Sequence, residues 1–578
     1  MRRLTFRLAV CVAASLIACL AAALPAAAHA QLESTVPARD ATLERAPAFV
    51  EFRFGEPVEA AFGSVRVYDE SGTRVDRGGV LRPDGDSSIA VRTRPGLGDG
   101  SYTATYRVVS ADSHPVSGGF VFHVGETARP PTRSVASYLA SAQPPRTTVV
   151  AYVAVRFAGY LALCLLFGFV FFDAFVFGPS ARRVGSAAAD SAFARRAAAI
   201  EGVGVALGVA AAALAIVFQA AIAAGEGALS AVGSGAVGEV LETRSGGWML
   251  ARLGIWLAIA LVWTLFVRRS PRAGLAAMLA LGALAAQTPA LIGHAAVTSP
   301  VWLMIGFDFI HVVAMSVWVG GLAAGLLALP CATATLVPAA RTSLLVECFD
   351  RFSRFALVCV CALIVTGVGQ SLVQFDSFDE LASTAYGRAI VIKAALLVAL
   401  IVLAAINRQR ALPRLRLLAE RGDAPGDAGR LLRRTLGAEL ALTIGAIAVA
   451  SALVGYAPAK AAAGGPFVGE GRLGPAQLQL IVDPARSGPN QLHMYLSDPA
   501  SGAQFTSYKE LRVSIERAKP QLGPIELQPS RAGPGHFVVP DVRFPGAGDW
   551  RVTVTMRTSE FDEYQKSFAV KIRGAPRV

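Results

Sequence analysis

The chain has 578 residues, a mean hydropathy of +0.49 and only 16% charged residues. This composition is too apolar for a soluble protein of this length, so it indicates a polytopic membrane protein. The formal net charge is +13, but the basic clusters flank apolar segments, which favours orientation in a bilayer over binding to nucleic acid.

Residues 1–28 have the three parts of a secretory signal. Three arginines in the first seven residues precede a long apolar core, and small residues end at Ala28. Cleavage after Ala28 would make His29 the first residue of the mature chain. An uncleaved anchor, or a cut a few residues away, is the alternative interpretation.

Residues 29–125 consist of short alternating runs such as AFVEFRF and GGFVFHVG, separated by Gly, Pro and Asp turns. Alternation at this spacing predicts a small β-sandwich or barrel. Residues 126–146 contain Pro and Ser and are interpreted as a linker.

Residues 147–458 contain eight apolar segments, each long enough to cross a bilayer. The sequence predicts a membrane domain of eight helices. The predicted spans lie near residues 148–178, 200–225, 247–267, 273–296, 301–330, 354–375, 389–407 and 436–458.

Arginines fill the loops after the first, third and seventh apolar segments, whereas the alternate loops are acidic or neutral. The positive-inside rule therefore assigns the arginine-rich loops to the cytoplasm. An even number of spans then returns the chain to the exported side, in agreement with the secretory signal. Residues 459–578 alternate again and predict a second exported β-sandwich of about seven strands.

A candidate metal site combines His29 with the segment SADSHPV, which contains Asp112 and His114. These two residues are i, i+2, so their side chains leave the same face of an extended segment. An amino terminus, two imidazoles and a carboxylate form an N/O ligand set that suits Cu(II). The alternative is that His29 and His114 are a terminal and a loop histidine with no ligand role.

The first β segment resembles the CopC family of periplasmic copper-binding proteins. HAQLESTVPARDATL, FRFGEPVE and YRVVSADSHPVSGGFVFHV carry the resemblance. The resemblance implies that His29, Asp112 and His114 bind Cu(II). The segment lacks the methionine-rich Cu(I) site of some members. His123 is either a peripheral ligand or an exposed strand histidine.

Polar side chains inside the apolar segments are the second candidate site, because ionisable groups at bilayer depth are costly. Asp308, His311 and Met315 share one face of the fifth segment, and His294 ends the fourth. They are interpreted either as a relay for copper or as a structural Asp308–His311 hydrogen-bonded pair with Met315 in packing.

Lys393 and Glu439 also lie within the seventh and eighth segments. They are interpreted as an ion pair between helices or as interfacial residues that extend toward water, and not as metal ligands. Gly320 and Gly321 predict close approach of a neighbouring helix.

The membrane segment resembles CopD, an integral-membrane copper-resistance family. TRSGGWMLARLG, GHA, DFIHVVAMSVWVGGL, YGRAIVIKAALL, INRQR and LLRRTLGAEL are among the stretches that carry the match. The resemblance implies copper uptake across the inner membrane. Residues 459–578 look like a YtkA/FixH-like β-domain, on the stretches RSGPNQLHMYLSDPASG and GPGHFVVPDVRF.

These observations favour an inner-membrane protein whose two β-domains are periplasmic. It would capture Cu(II) at the amino-terminal domain and transport copper across the membrane, with Cu(I) as the candidate species among the helices. The expected partners are copper ions, the lipid bilayer and periplasmic copper proteins, without nucleic acid. A copper buffer or resistance scaffold without transport is the alternative, and an oxidative copper enzyme is disfavoured because Asp112 would occupy the oxygen position.

Overall fold

The computed structural model describes residues 32–39, 41–55, 57–59, 65–110, 115–125, 135, 138–139, 143–266, 271–375, 378–455, 467–483, 485–499, 504–517, 519–533 and 535–573. These residues form a β-rich head, a bundle of long helices and a carboxy-terminal β-domain. The predicted fold class is confirmed.

The head consists of two β-sheets packed face to face. One sheet has the order β1-β3-β6, and the other has the order β2-β8-β7-β4 with β5 also paired to β7. Alternating valines, phenylalanines and tyrosines fill the space between the sheets. The strands are β1 Leu32–Val36, β2 Thr42–Leu43, β3 Phe49–Phe54, β4 Val58–Glu59, β5 Val65–Tyr68, β6 Ser88–Arg92, β7 Gly100–Ser110 and β8 Pro115–Val124.

Eight helices in the described part of the chain are long and apolar enough to cross a bilayer, as the hydropathy pattern predicts. Short helical turns join some of them on the side of the β-domains. The long helices are α1 Arg146–Val184, α2 Ala187–Ala224, α3 Arg244–Leu265, α4 Ala273–Ile292, α5 Val301–Thr333, α6 Pro338–Gln374, α7 Ala385–Glu420 and α8 Gly426–Leu453.

Several helices are longer than their apolar segments. Helix α2 begins at Ala187 rather than near residue 200, and α6 begins at Pro338 rather than near residue 354. Hydropathy marks only the part of a helix that lipid can surround, whereas backbone hydrogen bonds continue into the polar turns beyond it. The predicted spans therefore mark the apolar part of each helix and not its ends.

Glycines bring α1 and α5 into backbone contact, as Gly320 and Gly321 predicted. A Cβ atom on Gly168 of α1 would meet the Ser316 carbonyl oxygen and the Gly320 Cα atom of α5. A Cβ atom on Gly321 would meet the Phe352 ring of α6. Close approach of this kind positions α5 at the centre of the bundle, where most of its second half is buried.

The carboxy-terminal domain is again a pair of β-sheets, with strand orders β14-β15-β11-β10-β9 and β13-β12-β16-β17. Trp550, Phe544 and the alternate apolar residues of most strands form its core. The strands are β9 Phe467–Leu473, β10 Ala476–Asp483, β11 Gly488–Ser497, β12 Glu510–Arg517, β13 Leu522–Leu527, β14 Ser530–Gly533, β15 His536–Phe544, β16 Gly548–Arg557 and β17 Glu563–Ile572.

Both β-domains contact the same end of the helix bundle, which is called the head face below. In the head, Arg107 Nε donates to the Ala223 carbonyl oxygen at the end of α2, at 2.7 Å. In the carboxy-terminal domain, Lys571 Nζ lies 3.5 Å from Asp379 Oδ2, in the connection between α6 and α7. The opposite end, called the arginine face, carries the arginine-rich connections after α1 and α7.

Candidate functional site

A cavity of about 840 Å³ lies among the helices and reaches toward the head face. Its walls are mostly apolar, with a limited set of polar and sulfur-containing side chains. All four predicted path residues, His294, Asp308, His311 and Met315, line it. The structure thus brings together the residues that the sequence indicated on α4 and α5.

A single face of α5 supplies the longest row of candidate ligands. Met304, Asp308, His311 and Met315 occur at intervals of four, three and four residues, which keeps them on one side of a helix. The row extends over about three turns, or ~16 Å at 1.5 Å per residue. Met304, which was not among the predicted path residues, is only 1% exposed and lies one turn before Asp308.

The His311 ring is held in one tautomer by α6. Its Nδ1 atom lies 2.8 Å from Thr366 Oγ1, and that hydroxyl donates its hydrogen to the Ala362 carbonyl oxygen at 2.7 Å. We assign the ring proton to Nδ1, which then donates to Thr366 while the Thr366 hydroxyl donates to Ala362, and this tautomer leaves a lone pair on Nε2. A neutral imidazole of this tautomer is ready to bind a metal ion.

Asp308 and His311 do not form the hydrogen-bonded pair considered as an alternative. Gln370 of α6 and Lys393 of α7 lie beside Asp308, whereas His311 pairs with Thr366 of α6. Each side chain is therefore positioned by α6 or α7 rather than by its neighbour on α5.

His294 lies at the rim of the cavity, where α4 has ended. It begins a short turn over His294–Ala296, and Thr298 Oγ1 donates to its backbone carbonyl oxygen at 2.8 Å. The turn directs the chain from α4 into α5 and keeps the imidazole at the cavity wall.

Met249 on α3 is a further cavity residue that sequence reasoning missed. Its side chain is 5% exposed. With Met304 and Met315 it gives the cavity three thioethers, beside the imidazoles of His294 and His311. Met304 could have been found from its spacing on α5, but Met249 has no partner on its own helix and required the fold.

Three basic side chains, Arg156, Arg252 and Lys393, also line the cavity. The Arg156 guanidinium lies 4.0 Å from the centre of the Tyr152 ring, and Asp308 faces Lys393. Lys393 is therefore not paired with Glu439, as the sequence had suggested. Glu439 is 2% exposed, does not extend toward water and accepts a hydrogen bond from Asn407.

Among the residues that the structure describes, no three His, Cys, Asp or Glu side chains converge as a ready-made metal site. A metal ion in the cavity would therefore need methionine sulfur as well as imidazole. His29, Asp112 and His114, the predicted ligands of the head, lie outside the described residues, so that site stays a prediction.

The head contacts the bundle close to the cavity. Val109 near the end of β7 packs with Ala220 on α2, and Glu59 on β4 accepts a hydrogen bond from the Arg244 backbone at 2.7 Å. Ala220 adjoins the cavity residue Gln219, and Arg244 lies about one turn before Met249. The ends of β7 and β4 thus contact α2 and α3, two helices that also line the cavity.

His123 is half-buried, so the prediction of an exposed strand histidine was wrong. Its Nδ1 atom lies 2.8 Å from Ser101 Oγ, at the other end of the β7–β8 hairpin. It approaches His536 of the carboxy-terminal domain, whose Nε2 lies 3.3 Å from His493 Nδ1. Burial lowers the pKa of His493 to about 4 and that of His536 to about 3.

Comparison with known families decides the identity of the head and of the helices. Residues 32–125 match the CopC domain, residues 146–302 match the copper resistance protein D-like N-terminal domain, and residues 346–453 match copper resistance protein D. The chain is a fused member of the CopC and CopD copper resistance families. It is therefore a copper-handling membrane protein. The α5 residues Asp308, His311 and Met315 lie between the two matches of the membrane part.

Relatives of this CopC–CopD fusion are named for copper transport and resistance. Copper transport protein CutJ of Bacillus subtilis is 29% identical over 553 residues, which cover 94% of this chain and 95% of CutJ. Copper resistance protein C of Escherichia coli is 28% identical over 106 residues, 17% of this chain and 83% of that protein. The crystal structure of CopC from Methylosinus trichosporium matches 17% of this chain and 93% of its own, with 32% identity and a TM-score of 0.16.

The resemblance of residues 459–578 to YtkA/FixH-like domains stays a prediction.

Proposed function

We propose that this CopC–CopD fusion captures Cu(II) with its head on the periplasmic side of the inner membrane and moves copper, as Cu(I), through the helix bundle. The observation that carries the proposal is the contact of the head with α2 and α3, two of the helices that line a cavity containing three methionines and two histidines. His29, Asp112 and His114 are the proposed Cu(II) ligands.

Ligand chemistry supports a different copper species at each site. The head has no cysteine or methionine between residues 29 and 125, so its candidate ligands are N and O atoms, which suit Cu(II). The cavity offers thioethers and neutral imidazoles, which suit Cu(I). Arg156, Arg252 and Lys393 add to this preference, because they repel a divalent ion about twice as strongly as a monovalent one at equal distance.

The arrangement of the domains supports direct delivery. The ends of β7 and β4 contact α2 and α3, the helices that supply Gln219 and Met249 to the cavity wall. A tethered donor at this position raises the local copper concentration near its acceptor without a new binding contact. Orientation with the head face outward agrees with the arginine-rich connections on the opposite face.

The proposal is tested by copper accumulation in cells that express the full chain with its head intact. His311→Ala removes an imidazole of the α5 row that lines the cavity, and we expect at least a tenfold loss of copper-dependent uptake. Ile310→Ala is the matched control, because this α5 residue is 45% exposed on the outside of the bundle; it should retain wild-type uptake.

Unchanged uptake by His311→Ala would remove the cavity from the transport route. Copper tolerance that rises while cytoplasmic copper stays constant in the wild type would instead favour the alternative, a periplasmic copper buffer or resistance scaffold without transport.

A further inference from the structure

A second cavity, of about 50 Å³, lies next to the first on its arginine-face side. It is lined by α5, α6, α7 and α8. The residues that line the two cavities are one helical turn apart on three helices: Trp318 and Leu322 on α5, Leu400 and Ala404 on α7, Thr443 and Glu439 on α8. The two cavities therefore follow one another along the same helices, in the direction of the arginine face.

Trp318 lines both cavities and so forms the wall between them. The residue is 2% exposed and belongs to the same buried cluster as Leu322, Phe349 and Phe352. It follows the α5 row of Met304, Asp308, His311 and Met315 by less than one turn. An ion that passes along this row meets the indole ring next.

The second cavity contains a buried carboxylate. Glu439 is 2% exposed, and Asn407 Nδ2 donates a hydrogen bond to its Oε1 atom. Thr435 Oγ1 in turn donates to Asn407 Oδ1, which fixes the orientation of the amide. No basic side chain forms an ion pair with Glu439 in the part of the chain that the structure describes. An acidic residue kept inside a bundle at this cost is typical of an ion pathway.

The backbone of α7 and the other polar residues of this cavity also support an ion pathway. Asn407 begins a wide, five-residue turn of α7, Asn407–Ala411, a distortion often found at functional sites in helices. Arg408 lines the same cavity, but its Nη1 atom donates to Ser353 Oγ at 3.0 Å, so its guanidinium is held by α6. The polar group that contacts the Glu439 carboxylate is therefore the Asn407 amide.

We infer that Trp318 is a gate between the copper-receiving cavity and an inner cation site formed by Glu439 and Asn407, from which a monovalent copper ion leaves at the arginine face. This inference rests on the proposed transport function and assigns the inner half of its route. The Glu439 carboxylate offsets the charge of the ion in surroundings that are otherwise mostly apolar.

The order of ligands along this route favours release. The outer cavity offers sulfur and imidazole, which bind Cu(I) well, whereas the inner site offers the oxygens of one carboxylate, held in place by Asn407, which bind it weakly. Conduction needs a last site that is weak enough for the ion to leave. Closure by Trp318 would keep copper in the outer cavity when no acceptor for copper is present at the arginine face.

The test uses the purified full chain in sealed vesicles that contain a Cu(I) indicator, with Cu(I) supplied outside under a reducing agent. Glu439→Gln keeps the shape of the side chain and removes its charge; we expect copper entry to fall about tenfold or more. Trp318→Ala should increase entry, whereas the matched control Trp318→Phe should stay near the wild-type rate. Equilibrium Cu(I) binding of each variant in detergent, measured against a competing chelator, should stay within about twofold of wild type because the outer ligands are intact.

A Glu439→Gln variant that admits copper at the wild-type rate would overturn the inner site. A Trp318→Ala variant that admits copper more slowly, with intact Cu(I) binding, would overturn the gate. Neither result would contradict transport itself. A wild-type protein that binds Cu(I) but admits none would overturn the transport proposal and this inference together.

Discussion

At the scale of single residues, the account depends on how His311 is presented to the cavity. In the assigned hydrogen-bond arrangement the Thr366 hydroxyl donates to the Ala362 carbonyl oxygen and accepts from His311 Nδ1. The proton is thereby fixed on the nitrogen that faces α6. Such outer partners of metal-binding histidines set both the tautomer and the direction of the free lone pair.

Thr366→Val should therefore weaken Cu(I) binding by about 10- to 100-fold although Thr366 is not a ligand. The side chain keeps its shape, but Nδ1 loses its acceptor and the imidazole can adopt the other tautomer. Thr366→Ser, which retains the hydroxyl, is the control. Chelator competition with the purified protein measures both affinities, and equal affinities for Thr366→Val and wild type would contradict the tautomer argument.

The buried pair His493 and His536 predicts that the carboxy-terminal domain loses stability in acid. Burial, together with a smaller effect of Arg39 and against an opposing effect of Asp483, lowers the pKa of His493 to about 4. An unfolded chain with a pKa near 6.5 binds more protons below that value, so stability is complete above about pH 6.5 and falls as the pH drops toward the folded pKa. The loss at pH 5 is about 2 kcal/mol for His493 alone.

Pulse proteolysis of the full chain with a protease active at both pH values should show this loss between pH 7.5 and pH 5 as faster cleavage within residues 467–573. His493→Asn combined with His536→Asn should flatten the pH dependence, since neither side chain can then take up a proton. Equal resistance of the wild-type domain at both values would contradict the prediction.

Residue-level prediction from the sequence succeeded where helix spacing carries the signal. Asp308, His311 and Met315 were recognised because a period of 3.6 residues aligns them, and Met304 continues the same row. Met249 comes from a different helix, and Arg156 and Arg252 were overlooked although ionisable residues in apolar segments indicate a site. Lys393 and Glu439 were paired wrongly, because the sequence does not tell which turn of α7 faces which turn of α8.

At the scale of elements, the contact between α1 and α5 holds the α5 row in place. Gly168 and Gly320 let the two backbones touch, so α5 cannot shift outward without losing this fit. The same crossing positions Trp318 between the two cavities.

Gly168→Ala should lower the free energy of unfolding by about 1–3 kcal/mol, because the added methyl group meets the Ser316 carbonyl oxygen and Gly320. Gly306→Ala on α5 is the matched control: an added Cβ there meets no heavy atom within 4 Å. It should be neutral or slightly stabilising, since Ala favours helices over Gly. Thermal unfolding in detergent compares the two, and equal melting temperatures would contradict the packing argument.

Helix ends were predicted less well than helices. The apolar stretches located all eight spans, but the polar first turns of α2 and α6 resemble loops in a hydropathy profile. The β-strands of both domains were visible as alternating runs, although the pairing β2-β8-β7-β4 depends on contacts distant in sequence.

At the scale of the whole molecule, the three domains meet at the head face. Arg39 of the head forms an ion pair with Asp483 of the carboxy-terminal domain, and Arg107 and Glu59 bind the helix bundle. These contacts hold the β7–β8 hairpin next to the cavity. None of them could be predicted from the sequence, since each joins side chains from separately folded segments.

Arg107→Ala should slow copper uptake at limiting copper by about tenfold while Cu(II) binding to the head stays unchanged. The variant removes charge-assisted hydrogen bonds to the Ala223 and Ile222 carbonyl oxygens, each worth about 1.5–3 kcal/mol. Arg66→Ala, an exposed arginine of the same sheet, is the control. Cellular uptake is measured at low and at high copper, because excess copper should compensate for a head that docks poorly on the bundle. An uptake defect of equal size at high copper would contradict the docking role of Arg107.

X-ray absorption at the copper edge of the purified full chain loaded with Cu(I) tests the central claim most directly, namely that the helix bundle receives copper through methionine and histidine. We predict sulfur and nitrogen scatterers around the copper, with the sulfur signal lost when Met249, Met304 and Met315 are replaced together by leucine. Copper surrounded only by oxygen and nitrogen in the wild type, or a spectrum unchanged in the triple variant, would contradict the account.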